Sequence, residues 1–204
     1  MQLPWIALGI VALFVAVMLL GVRARRSQMS RNLRIRAADA WAPFADRGYP
    51  PDALLFGVRQ DSSATETGML VRDSNDEEVG RITFHTAART GAITISTARD
   101  SFTVDVLPTW SRRMVLHRAN DVSDVLCTFG QSTWGAHRFD VAGVGAIESR
   151  RLHRLRLAPT SDISLNGVAA GASRHLGGAV DRGVALMLPT SIPLPVRMFV
   201  LALQ

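Results

Sequence analysis

Val184-Ala185-Leu186-Met187-Leu188, then Pro189-Thr190-Ser191-Ile192-Pro193-Leu194-Pro195, then Val196-Arg197-Met198-Phe199-Val200-Leu201-Ala202-Leu203 follow one another near the C-terminal side of the sequence. The first block is an unbroken apolar run of strand length and reads as a buried strand. The prolines stop it. The third block is apolar on nearly every helical face, the pattern of a helix buried all round. It is too short to cross a bilayer. Period alone does not separate so short a run from a final edge strand, and that alternative stays open.

A helix buried on all sides needs a wrapping, and the upstream sequence supplies strands. Ala53–Gln60, Gly68–Arg72, Glu78–His85, Ala92–Thr97, Phe102–Leu107, Arg113–Arg118, Val125–Phe129, Arg138–Val141 and Val144–Ser149 are short and rich in Val, Ile, Thr and Phe. Turn residues such as Asp73-Ser74-Asn75-Asp76 and Arg89-Thr90-Gly91 separate them. With no long helix between them, they predict an antiparallel sandwich or barrel, and about 150 residues are ample for one such core. Gly167, Gly171, Gly177, Gly178 and Gly183 read as turn and loop glycines. One internal echo stands out: Val79-Gly80-Arg81-Ile82 and Val144-Gly145-Ala146-Ile147 each follow a strand ending in Asp (Asp73, Asp140). The pair suggests duplicated sheet halves, with Gly permitting a bulge or a close backbone approach.

Further upstream, Met29, Leu33, Ala37, Trp41 and Phe44 recur at helical spacing, with Arg31, Arg34 and Arg36 among them. Two readings are open: a basic helix resting on anionic lipid, or a continuation of the anchor helix that packs on the domain. Pro43, Gly48 and Pro50-Pro51 end this segment. Leu3 to Val22 is an uncharged apolar run of bilayer-crossing length, with Pro4 suited to a first helical turn and Trp5 to the interface. A cleaved signal peptide is the alternative, but no basic residue precedes the run and no A-x-A site follows it. The expected organisation is a transmembrane anchor at 1–22, a basic juxtamembrane segment at 23–51 and a β domain at 52–204.

The charge supports that division. All 23 basic residues are Arg, and Arg23, Arg25, Arg26, Arg31, Arg34 and Arg36 share one stretch without Asp or Glu. The other 17 Arg are matched by 17 Asp plus Glu, so the formal +6 belongs to the juxtamembrane stretch. A domain without net charge argues against a nucleic-acid partner. Arginines just after the span keep that side cytoplasmic. The expectation is therefore a single-pass protein of the cell membrane, N-terminus outside and domain inside. The lone Cys127 forms no internal disulfide, consistent with that side. The Lys-free, Ala-rich composition fits a GC-rich bacterial genome.

The terminal segment, Met187-Leu188-Pro189 through Pro193-Leu194-Pro195-Val196 to Leu203, resembles the end of the tubby C-terminal domain. The repeated V-G-x-I hairpin is similar to the LURP-one-related and phospholipid scramblase branches of that superfamily. The resemblance covers about Asp52 to Gln204. It implies a closed barrel of about twelve antiparallel strands threaded by the hydrophobic C-terminal helix. It also implies association with membranes, since relatives in the tubby branch bind phosphoinositide headgroups. Scramblases place their anchor near the C-terminus, after an acidic calcium-binding segment and acylated cysteines. Here the anchor is N-terminal, only Asp181 precedes the last helix and Cys127 stands alone. Calcium dependence, acylation and scrambling are therefore not carried over.

Catalytic signatures are absent from the sequence. His85, His117, His137, His153 and His175 are scattered without metal-ligand spacing, there is no G-x-S-x-G elbow, and no phosphate loop is present, so no cofactor or metal is expected. Cys127 sits in an apolar strand pattern, as a buried thiol would. Asp73, Asp76, Glu77 and Glu78 lack the rhythm of a calcium loop and read as a solvated turn. The candidate binding surface is Arg150, Arg151, His153, Arg154 and Arg156, interleaved with Leu, together with Arg112 and Arg113 beside Trp110. Guanidinium groups in such density suit phosphate headgroups, whereas the plain alternative is a solvated strand or short helix whose charges pair with Asp residues elsewhere. The expected function is binding of an anionic phospholipid or a membrane-protein partner without covalent chemistry. A structural envelope subunit, or an enzyme with an unrecognised loop site, is the alternative.

Overall fold

The computed structural model describes residues 13–15, 17–18, 34–62, 66–85, 91–108, 113–131, 136–151, 160–176 and 183–204. The chain divides into two compact units, Met1–Arg34 and Ile35–Gln204. In the first, residues 13–15 and 17–18 are helical, and Leu13, Phe14, Val15, Val17 and Met18 are exposed. Among the described residues no helix is long and apolar enough to cross a membrane, and most of the expected Leu3–Val22 span lies outside them. Arg23, Arg25, Arg26 and Arg31 also lie outside the described residues; Arg34 and Arg36 are exposed.

In the second unit one antiparallel sheet closes on itself. Its strands are β1 (Leu54–Ser62), β2 (Glu66–Asp73), β3 (Glu78–His85), β4 (Ile93–Thr97), β5 (Ser101–Leu107) and β6 (Arg113–Arg118). They continue as β7 (Asp121–Gln131), β8 (His137–Val141), β9 (Gly145–Arg151), β10 (Thr160–Leu165), β11 (Val168–Leu176) and β12 (Gly183–Met187). Each pairs with its neighbour in sequence, and β12 pairs with β1 through Leu54↔Met187 to Val58↔Gly183. Closure leaves the twelve strands without a free edge. Two helices complete the unit: α1 (Ala37–Trp41), followed by a 3-10 turn over Ala42–Arg47, and α2 (Leu194–Ala202).

The expected terminal helix is α2, and it fills the barrel. Val196, Met198, Phe199, Val200 and Leu201 are buried against the inward residues of the strands, among them Leu55, Ile82, Ile95, Leu116, Phe139 and Ile147. Burying one such side chain is worth about 1.5–3 kcal/mol, so the helix holds the wall and the wall holds the helix. Phe199 meets Phe139 and Phe129 edge-on, with centroids 5.7 and 6.4 Å apart. Both V-G-x-I segments enter the wall after a hairpin, on β3 and β9, and their Ile82 and Ile147 point into the core. At Gly80 a Cβ would meet the Ser96 carbonyl and lie 2.8 Å from the Met198 methyl, so glycine there admits the helix. Arg197 is the buried exception on α2. Its Nη2 donates to the Ala53 carbonyl at 2.7 Å, and burial lowers its pKa while the charge of Asp52 opposes that shift.

The structure differs from the sequence reading in two places. Strands β10 and β11 stand where no strand was expected, and Gly171, read as a loop glycine, lies inside β11. A Cβ there would collide with the Met187 carbonyl of β12, which is why this position is glycine. Gly167 does occupy a turn: Asn166 and Gly167 have φ of 51° and 82°, the conformation of a tight I′ hairpin. Gly177 and Gly178 lie outside the described residues. The second difference concerns the segment before the barrel. The compact unit begins at Ile35, and Ala37, Ala40 and Phe44 pack on the outer face of β1, β11 and β12, over Leu54, Phe56, Val58, Ala172 and Ala185. From Ala37 onward the apolar stripe packs on the domain, and the helix there begins at Ala37 after an extended Arg36. Asp76 of the β2–β3 turn fastens this strap by accepting from the Ala37 N–H at 2.8 Å, and Tyr49 Oη donates to the Gly171 carbonyl at 3.1 Å.

Candidate functional site

Because the strands alternate in direction, the even-to-odd turns share one rim, here the lower. The odd-to-even connections and the end of α2 share the other, the upper. The sequence candidates that lie among the described residues belong to the upper rim. Strand β6 starts at Arg113 and β9 ends at Arg151, so Arg113, Arg150 and Arg151 come from two strands that end at the same rim. Arg112, His153, Arg154 and Arg156 lie outside the described residues.

Below the rim, on the outer face, cross-strand register sets Arg113, Gly130, Arg138 and Glu148 side by side on β6 to β9. Arg138 bonds Asp140 at 3.0 Å and Glu148 at 3.3 Å, and Arg150 reaches the other oxygen of Glu148 at 3.5 Å. Arg150, 76% exposed in its side chain, is thus paired to a carboxylate two residues before it on the same strand, a glutamate and not one of the Asp residues elsewhere that the plain alternative expects. Exposed pairs of this kind contribute at most about 1 kcal/mol each, so they leave the arginines available to a competing anion. Arg113 has no ion-pair partner among the described residues. It borders a groove of about 480 Å³ with Arg138, Asp140, Thr128 and Gln131 on its polar side and Leu107 and Phe129 on its apolar side. Gly130 opens the gap between the two arginines: nothing lies within 4 Å of where its Cβ would stand.

Residues with catalytic potential are held otherwise. His117, 4% exposed, has Nε2 3.2 Å from Asp105 Oδ2 and Nδ1 2.9 Å from the Arg118 carbonyl. The second oxygen of Asp105 accepts from the Gly91 N–H at 2.6 Å. Both ring nitrogens lie within hydrogen-bond distance of oxygens of the protein itself. The pair ties the end of the β3–β4 connection to the wall. Cys127 is buried, and desolvation pushes its thiol up to about 12, with the charge of Asp140 adding to the shift. A group held as the neutral thiol is a poor nucleophile. Among the described residues no three His, Cys, Asp or Glu side chains converge as a metal site. The acidic turn is a hairpin: Asp73 Oδ1 accepts from the Asn75 and Glu77 N–H groups at 2.8 and 3.0 Å.

Two elements of this surface escaped the sequence reading. The ladder of Arg138, Asp140 and Glu148 had a signal in the alternation Arg138-Phe139-Asp140-Val141, which puts both charges on one face. The Asp105–His117 pair had none, since twelve residues and a hairpin separate its members. No family model, curated protein or solved structure matches the chain.

Proposed function

We propose that this chain is a membrane-anchored, tubby-like barrel of the LURP-one-related and scramblase-like kind that binds anionic lipid headgroups without covalent chemistry. The observation that carries the reading is the shared rim. The two arginine-dense stretches chosen from the sequence, around Arg112–Arg113 and Arg150–Arg156, are distant in the chain yet flank strands that meet the same end of the barrel. A surface of this kind gains affinity by summing weak contacts, about 1 kcal/mol per arginine near an anionic leaflet. The uncharged run Leu3–Val22 and the arginines after it support an anchor that would hold the domain at a cytoplasmic leaflet. The twelve-strand barrel around α2 is the architecture the resemblance implies.

Liposome flotation of residues 35–204 tests the proposal. Binding should rise when phosphatidylserine is added to phosphatidylcholine vesicles and fall as salt is raised. Replacing Arg150, Arg151, Arg154 and Arg156 by Gln should lower it by roughly tenfold or more, given about 1 kcal/mol per arginine. Flotation indifferent to phosphatidylserine would refute the lipid reading.

A further inference from the structure

The groove over β5 to β8 has a gap built into its polar side. Register sets Leu107, Arg113, Gly130 and Arg138 in one cross-strand row, so the two arginines flank Gly130 with their backbones about 9–10 Å apart. Nothing lies within 4 Å of where a Gly130 Cβ would stand, and the space between the two side chains is open. Thr128 and Gln131, both exposed, border the same groove, and Leu107, Met114 and Phe129 form its apolar side.

The gap is positively charged. Arg113 makes no ion pair among the described residues, and residues 109–112 and 132–136, which join β5 to β6 and β7 to β8 at this rim, contain no Asp or Glu. Asp140 is the one acid lining the groove, and it is already held by Nε and Nη2 of Arg138 at 3.0 Å. Nη1 of Arg138 reaches Glu148, which Arg150 shares. Arg113, Arg138 and Arg150 therefore outnumber Asp140 and Glu148 on this face. A guanidinium carries five N–H donors, so the contacts of Arg138 leave part of its fork for a ligand.

We infer that this gap seats the phosphate of a monoester that carries an apolar group. Its donors come from opposite flanks. A tetrahedral phosphate turns oxygens to both, whereas a carboxylate presents its two oxygens on one side. Arg113, Arg138, Thr128 and Gln131 match the three terminal oxygens of a monoester better than the two of a diester, and Leu107, Met114 and Phe129 take the apolar group. The volume of about 480 Å³ falls in the range of small-molecule sites. The inference deepens the lipid reading by naming the group bound, and it rests on that reading for a lipid as the source of the phosphate.

Methionine methyl NMR of the full chain in phosphatidylcholine nanodiscs tests it. Met114 lines the groove, whereas Met187 is buried under the strap and serves as the internal reference. Hexyl phosphate should shift the Met114 methyl saturably and leave Met187 in place. Hexanoate and the diester methyl hexyl phosphate should each bind at least about tenfold more weakly, as expected for the loss of one charge-assisted hydrogen bond. Arg113→Gln should weaken hexyl phosphate by about the same factor, and Gly130→Val, which fills the gap, should abolish the shift. Arg81→Gln, an exposed charge on β3 outside the groove, should change the affinity by no more than about twofold. An unmoved Met187 line shows that each variant is folded. Nanodiscs containing phosphatidic acid should shift Met114 without added ligand and compete with hexyl phosphate. If only the soluble monoester binds, the seat stands and the lipid source falls. No saturable Met114 shift, equal affinity for monoester, diester and hexanoate, or indifference to Gly130→Val would overturn the seat. Flotation that still rises with phosphatidylserine would then leave the lipid reading standing without it.

Discussion

The wall formed by β11, β12 and β1 and the wall formed by β6, β7 and β8 belong to one sheet but are different materials. In β12 every residue from Gly183 to Met187 is buried, because α2 covers one face and the strap at Ala37, Ala40 and Phe44 covers the other. In β8 burial alternates: Phe139 and Val141 point inward while Arg138 and Asp140 face outward. The same backbone geometry thus yields a two-sided core in one sector and a one-sided core in the other. The difference is set by seventeen-odd residues before the first strand, which are lacking over β6 to β8. The bare sector is the one left to carry charge and a groove.

The largest effect expected from this contrast is at Phe44. Although it sits outside the barrel, Phe44→Ala should cost about 3–5 kcal/mol in denaturant unfolding, as much as the inward-facing Phe139→Ala. A loss below about 0.5 kcal/mol, the usual range of surface changes, would mean that the strap is an ornament and the two walls are alike. Next come the glycines. Gly171→Ala drives a methyl into the Met187 carbonyl and should lower stability by about 1–3 kcal/mol. Gly130→Ala meets nothing within 4 Å and should be neutral or stabilising by about 0.4–1 kcal/mol. Equal outcomes at the two positions would erase the distinction.

The inner face of the bare sector should still behave as core. Cys127 has its thiol raised to about 12, against an ordinary value of 9.0, so the native state favours the protonated form. That contribution is complete below pH 9 and is lost as pH rises toward 12. At pH 10 the loss should be about 1 kcal/mol, and Cys127→Ala should flatten this part of the stability profile. The smallest effect belongs to the outer ladder: Arg138→Ala should change stability by no more than about 1 kcal/mol, and less at high salt.

The contrast also explains what was legible in the sequence. In the one-sided sector β8 announces itself by period two in Arg138-Phe139-Asp140-Val141, whereas β6 is legible as a short apolar run between Arg113 and Arg118. The terminal helix was legible because a run such as Met198-Phe199-Val200-Leu201 has no face to show to water. Strands β10 and β11 were not, because Ala169-Ala170-Gly171-Ala172 carries neither the period nor the bulk of a strand. Its small residues answer to a neighbour, the Met187 backbone, that only the fold brings near. A bulge between Ile163 and Ser164 shifts the register there, and the Gly171 carbonyl is taken by Tyr49 of the strap. The arginines of the candidate surface were visible by density alone. Their pairing was not, since the sharing of Glu148 by Arg138 and Arg150 depends on register across β8 and β9.

The seam between β1 and β12 has a consequence in time. Leu54 pairs with Met187, and Ala53 accepts the Leu188 N–H at 3.2 Å and, across a sequence separation of 144 residues, the Arg197 guanidinium at 2.7 Å. During synthesis, then, ten hairpin-joined neighbours can pair as they emerge while the first strand waits with one edge unmet. Closure and filling come in the same final step, because the strand that seals the ring is followed at once by the helix that occupies it. Slow, all-or-none maturation is what such long-range contacts impose, and the nascent sheet is most vulnerable to wrong partners until that step is complete.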